Sequence, residues 1–165
     1  AGLQAIATAR RLGAQVSASG VRSATKEQIQ SLGAKPLIVP AMGSHGGGTA
    51  EGQRKAAELP EWFMADPPVA IFVTDTLRSR QTAAPLAEAL GITPQVYDPA
   101  NNAALVQRVQ AVTGGSVLIV GHSNTVPDIV ELLGGARPDP IADNQFGDIW
   151  HISPATGSTL RLTVR

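Results

Sequence analysis

Short aliphatic runs alternate with helical periods along almost the whole chain. Leu3, Ile6, Ala7 and Leu12 recur at helical spacing, and Gly13 follows as a stop. Gln15 to Ser19 is a short strand candidate, and Ser23 can cap a helix running to about Leu32, ended by Gly33. Pro36 to Met42 holds Leu37, Ile38 and Val39, the signature of a buried parallel strand, and Gly43 to Gly48 is a glycine-rich loop. The pattern then predicts a helix from about Thr49 to Phe63, a strand over Ala70–Thr74 and a helix over Ser79–Leu90. It continues with a strand over Pro94–Tyr97, a helix over Asn101–Val112, a strand over Val117–Val120 and a helix over Asn124–Leu133. Beyond the proline-containing loop of Arg137 to Pro140 the period changes to two strands, Asp148–Ile152 and Thr159–Val164, with Gly157 suited to the turn between them.

Strands separated by helices require right-handed crossovers. The expected architecture is therefore a three-layer α/β/α sandwich with a mostly parallel sheet, its N-terminal segment Rossmann-like. Ligands in such sheets sit beyond the C-terminal strand ends. That rule selects the loops after Val39, Thr74 and Val120, all of them polar or glycine-rich.

The composition narrows the partners. With 165 residues the chain suits one domain, and 43% hydrophobic against 16% charged residues is a globular balance. Thirteen basic residues match thirteen acidic ones, so nothing in the charge calls for nucleic acid or an anionic membrane. There is no cysteine, which excludes disulfides, thiol catalysis and thiolate metal sites. No apolar run approaches the roughly 20 residues of a membrane span, and no secretory leader is read at the start. The expectation is a soluble protein, cytoplasmic on expression, with no protein partner inferable.

Two stretches can carry chemistry. In Thr74-Asp75-Thr76-Leu77-Arg78-Ser79-Arg80-Gln81-Thr82-Ala83 a strand ends and a helix begins, which puts Arg78 where a helix start already favours an anion. A guanidinium there can grip phosphate oxygens in pairs; the bland alternative is a surface arginine. In Val117-Leu118-Ile119-Val120-Gly121-His122-Ser123-Asn124 a buried strand delivers His122 to the same edge, with Gly121 allowing a tight turn and Ser123 and Asn124 offering capping groups. A lone histidine is otherwise more often structural.

Together these stretches resemble the histidine phosphatase, or phosphoglycerate mutase-like, superfamily, and with Asn144-Gln145-Phe146-Gly147-Asp148 the likeness spans about residues 53–165. The resemblance implies a phosphomonoester hydrolase working through a phosphohistidine, if active. It assigns the second arginine to Arg78 and the second histidine to His122, with Ser123 and Asn124 completing the phosphate-binding set. The family's first strand ends in Arg-His, whereas here Pro40-Ala41-Met42-Gly43 follows Val39 and His45 comes later, with Ser44 in the arginine's place. One phosphate arginine is missing and His45, the weaker catalytic candidate beside His122, is displaced.

Residues 1–35 resemble instead the dinucleotide-binding domain of alanine dehydrogenase and transhydrogenase. That resemblance implies a glycine-rich phosphate loop and an acidic ribose ligand, yet no such loop occurs among these residues and Ser19-Gly20 stand at the strand end. No cofactor and no metal are therefore expected. Pro40 to Gln53 resembles a segment of the lactate racemase domain family; its plainer reading is a glycine-rich connector capped by Thr49. Three unrelated likenesses read as an engineered chimera, the alternative being a rearranged natural gene. The expected divisions of one α/β domain over residues 1–165 are 1–35, 36–52 and 53–165. Its expected function is a scaffold with a partial phosphate or sulfate pocket, or alternatively a weak histidine phosphatase.

Overall fold

A computed structural model describes residues 35–42, 50–145, 147–153 and 158–164. The elements expected over residues 3–33, the Gly43–Gly48 loop, His45 and the turn at Gly157 lie outside the described residues. Strand β1 is Lys35–Pro40, followed by helix α1 (Ala50–Trp62), β2 (Pro68–Thr74) and α2 (Leu77–Leu90). Then come β3 (Gln95–Tyr97), α3 (Asn102–Gln110), β4 (Ser116–Gly121), α4 (Val126–Leu132), β5 (Asp148–Ser153) and β6 (Ser158–Thr163).

The six strands form one sheet in the order β3-β2-β4-β1-β5-β6. β4 is flanked in parallel by β1, with Leu37 opposite Leu118 and Pro40 opposite Gly121, and by β2, with Phe72 opposite Ile119. β3 extends β2 in parallel, while β5 runs antiparallel to β1 and β6 antiparallel to β5. The expected mostly parallel sheet with a closing pair of antiparallel strands is what folds.

The aliphatic runs explain the layers. Along β4 the side chains alternate faces: Val117 and Ile119 join Ile38, Phe72, Leu105 and Ile129, while Leu118 and Val120 join Leu37, Val39, Ile71 and Leu86. The first cluster is roofed by α3 and α4, the second by α1 and α2. A strand buried on both faces needs apolar residues at every position, and Leu37 through Val39 and Val117 through Val120 supply them. Full burial of each such side chain contributes about 1.5–3 kcal/mol.

Helix ends fix where the loops point. Thr76 caps α2, its hydroxyl accepting from the Ser79 amide, and Gly91 closes the helix at φ 65° in the left-handed region that suits glycine. Asn101 caps α3 in the same way, through the Ala104 amide. α4 departs from expectation: it starts after Thr125 rather than at Asn124, and neither Ser123 nor Asn124 caps it. The Thr125 and Val126 amides both donate to the His122 carbonyl, and Pro127 has no amide hydrogen.

Candidate functional site

β2 and β4 are parallel neighbours, so their last residues reach the same edge of the sheet. Thr74 ends β2 and is fully buried; His122 follows β4 and is 8% exposed. The first turn of α2 swings Arg78 back over that edge. Arg78 Nη2 lies 3.0 Å from His122 Nδ1, and Thr74 Oγ1 lies 3.0 Å from His122 Nε2. The structure therefore brings together the two residues read from strand ends.

Under the imidazole lies a shell of hydroxyls. Thr74 Oγ1 is 2.7 Å from Ser79 Oγ and 3.2 Å from Thr76 Oγ1, and Thr76 Oγ1 donates to Ser79 Oγ at 3.0 Å. Thr82 Oγ1 donates to the Arg78 carbonyl and accepts the Met42 amide, both at 2.8 Å. Sequence reasoning missed this shell. Its one available signal was a threonine, Thr74, ending a strand otherwise built of apolar residues.

His122 is held from its own side as well, because Thr125 Oγ1 accepts its amide at 3.0 Å. Ser123 Oγ donates to Asp143 Oδ1 at 2.8 Å, and Asn124 is exposed. These two residues border an open pocket of about 370 Å³ beside the His122 turn, with Pro127, Arg137, Ile141 and Asp143.

The end of β1 adjoins this edge. The Ala41 amide donates to the Gly121 carbonyl at 2.8 Å, and Met42 is buried in the α1–α2 core. No arginine or histidine stands at the described positions 40–42, and His45 lies outside the described residues. Among those residues no group of acidic or histidine side chains is arranged to hold a metal, and no helix is long and apolar enough to cross a membrane.

The model of the alanine dehydrogenase/PNT C-terminal domain family matches residues 1–131. The chain belongs to this family. Within the alanine dehydrogenase/PNT family it is 69% identical over 39 residues to the first of the NAD(P) transhydrogenase alpha-subunit polypeptides of Rhodospirillum rubrum, covering 24% of this chain and 10% of that one. The same polypeptide of Rickettsia prowazekii is 71% identical over 35 residues, covering 21% and 9%. The chain thus spans about a tenth of the length of the curated relatives it matches.

The fold of this alanine dehydrogenase/PNT family member is nevertheless that of histidine phosphatases. It matches the protein histidine phosphatase SixA complexed with tungstate at a TM-score of 0.57 and 16% identity, covering 78% of this chain and 96% of that one. A mycobacterial glucosyl-3-phosphoglycerate phosphatase complexed with inorganic phosphate gives 0.51 and 12%, covering 73% and 89%. A phosphoglycerate mutase from Plasmodium falciparum gives 0.50 and 12%, covering 78% and 87%. The chain thus matches one family by sequence model and shares its fold with another.

Proposed function

We propose that this chain is an engineered chimera, one α/β domain over residues 1–165, that keeps a partial anion pocket and has no efficient catalysis. Its segments are a Rossmann-derived piece over 1–35, a strand and glycine-rich connector over 36–52, where the lactate racemase likeness falls, and a histidine-phosphatase-like piece over 53–165. The observation that carries the reading is the 3.0 Å contact between Arg78 Nη2 and His122 Nδ1. Two basic groups held face to face at a strand edge gain from an oxyanion that accepts from both. A guanidinium can give phosphate two parallel N–H bonds, and an imidazolium a further one. Ser123 and Asn124, on the wall of the neighbouring pocket, are the remaining contacts proposed for phosphate or sulfate.

Turnover is a separate matter. Catalysis of phosphoryl transfer rests on charge stabilisation and on a nucleophile in line with the leaving group. Both ring nitrogens of His122 already have protein partners, and the arginine that the family places after its first strand has no counterpart at Ala41 or Met42. The second reading, a weak phosphomonoester hydrolase using His122 or His45, is favoured by the fold likeness alone.

Phosphate titration of the wild type against Arg78→Ala tests the pocket, and equal affinity in the two would remove it. Release of phosphate from p-nitrophenyl phosphate, lost in His122→Ala, would favour the hydrolase instead. No cofactor, nucleic acid, membrane or protein partner enters this reading, and the cytoplasm is the location proposed for expression.

A further inference from the structure

The two ring contacts of His122 favour one tautomer of its neutral form. Arg78 can only donate, so the Nδ1 atom it faces at 3.0 Å must be a bare lone pair. The neutral ring then carries its proton on Nε2 and donates it to Thr74 Oγ1 at 3.0 Å. The Thr74 hydroxyl can in turn donate to Ser79 or Thr76. The hydroxyl shell can accept from Nε2–H whether the ring is neutral or charged.

We infer that Thr74 is a positioning residue that fixes the Nε2–H tautomer of His122, so that anion binding is coupled to uptake of one proton at Nδ1. The inference rests on the anion pocket proposed above. An arriving oxyanion takes over the N–H groups that Arg78 had turned on Nδ1. The lone pair left behind then faces negative charge in a buried site. It takes a proton from solvent, and the imidazolium donates Nδ1–H to the anion while Nε2–H stays on Thr74. The balance is protein plus anion plus one proton on one side, and the complex on the other.

The described charged groups nearby are Arg78, the exposed Asp75–Arg80 pair at the same helix start, and Asp143, which reaches the His122 turn through Ser123. On α4, Asp128 is engaged by Arg137. The segment leaving β1 contributes uncharged Ala41 and Met42. Tyr97, whose hydroxyl donates to the Val120 carbonyl, is kept protonated by burial.

The sign follows from linkage. A ring that gains a proton on binding has its affinity fully present at low pH and loses it as pH rises through the bound-state value. At its steepest the loss is on the order of tenfold per pH unit.

Sulfate is the probe, because it has no titrating proton in the histidine range. Calorimetry of sulfate binding near pH 7, in buffers of different ionisation enthalpy, counts the protons taken up. The wild type is expected to take up a fraction of a proton approaching one. In His122→Gln the amide can still donate to Thr74 but cannot charge, so sulfate binding becomes weaker, independent of pH and free of proton uptake. In Thr74→Val the ¹⁵N histidine spectrum shifts towards the Nδ1–H tautomer and the pH profile moves, while Thr74→Ser restores both. If Thr74→Val does not fold, the spectrum and proton count of the wild type decide alone. Sulfate binding without proton uptake, or an Nδ1–H tautomer in the free wild type, overturns the inference and leaves the pocket standing. No sulfate binding between pH 5 and 8 overturns both.

Discussion

Among the described residues, the buried polar clusters around His122 and Asp148 are built from nearly the same parts. At the edge of β2 and β4, His122 lies between Arg78 and Thr74. At the start of β5, Asp148 is 2% exposed and is gripped by Arg161 Nη2 at 2.6 Å, Thr163 Oγ1 at 2.7 Å and the Gln145 side-chain amide. The difference lies in sign. Around Asp148 a carboxylate meets a guanidinium and hydrogen-bond donors, so every partner stabilises its charged form. Around His122 a guanidinium meets an imidazole, and the contact holds only while the ring stays neutral. A self-complementary cluster has little left to bind, whereas one that joins two bases is improved by an added anion. Burial of polar side chains therefore does not by itself mark a site, and the charge balance among them is more informative.

The largest expected effect breaks the structural cluster. Asp148→Ala should lower unfolding free energy by about 3 kcal/mol, because three hydrogen bonds to a charged acceptor are lost. Chemical unfolding measures this, and a loss under about 0.5 kcal/mol would contradict a structural role. Phosphate affinity should not change. Burial pushes the Asp148 carboxyl up, but bonds from Arg161, Gln145 and Thr163 more than offset this and hold it below the ordinary carboxylate range. A depressed folded-state value means that this contribution is complete above the unfolded value of about 3.9 and is lost as pH falls through the folded one. The urea midpoint of the wild type should therefore drop on acidification below that range, and Asp148→Asn should lack this part of the drop.

The next effect breaks the other cluster. Arg78→Ala should weaken phosphate binding about 10- to 100-fold, the worth of one or two charge-assisted hydrogen bonds. Calorimetric titration reads it, with stability changing by less than about 1 kcal/mol because Arg78 is only half-buried. A change confined to stability would make Arg78 a second Arg161.

A smaller gain should come from adding charge where the first strand ends. The Ala41 amide donates to the carbonyl of Gly121, the residue before His122, at 2.8 Å, and Ala41 is only partly buried. Ala41→Arg should therefore raise phosphate affinity, by on the order of tenfold at most. Unchanged affinity with a retained fold would mean that the edge at β1 does not face the pocket.

Much of this was readable in the chain. β1, β2 and β4 announce themselves because burial on both faces demands unbroken aliphatic runs such as Val117–Val120. The convergence of Arg78 and His122 was legible because parallel strands deliver their C-terminal ends to one edge. Long-range pairing was not readable. Ser123 looked like a helix cap, but its hydroxyl is engaged by Asp143, twenty residues on in sequence, and Thr125 takes over the turn. Likewise nothing local to Asp148 reveals that Thr163 will stand across from it and that Arg161, opposite Trp150, will reach it diagonally, since strand register decides that. Thr74 read as the end of a strand, and only its distance to His122 makes it part of the site.

The smallest expected effect is none at all, on NADH. Family membership over residues 1–131 makes nicotinamide dinucleotides the natural ligands to try. Binding in such domains needs a glycine-rich turn whose amides approach the pyrophosphate and an acidic side chain on the ribose hydroxyls. Among residues 1–35 the strand candidate Gln15–Ser19 ends on Ser19 and Gly20 with no carboxylate. The Arg78–His122 edge could attract a pyrophosphate, but it has no counterpart of the ribose ligand, so any NADH held there should bind no better than phosphate. Trp150 is buried and stacks at 5.9 Å on Arg161, while Trp62 is partly exposed at the end of α1, so the two tryptophans report from different regions of the fold. Neither should show saturable quenching by NADH once absorbance is corrected. Saturation tighter than phosphate, with matching heat in calorimetry, would mean that the dinucleotide function survived in this chain. If Arg78→Ala left that binding intact, its site would lie away from the phosphatase-like edge.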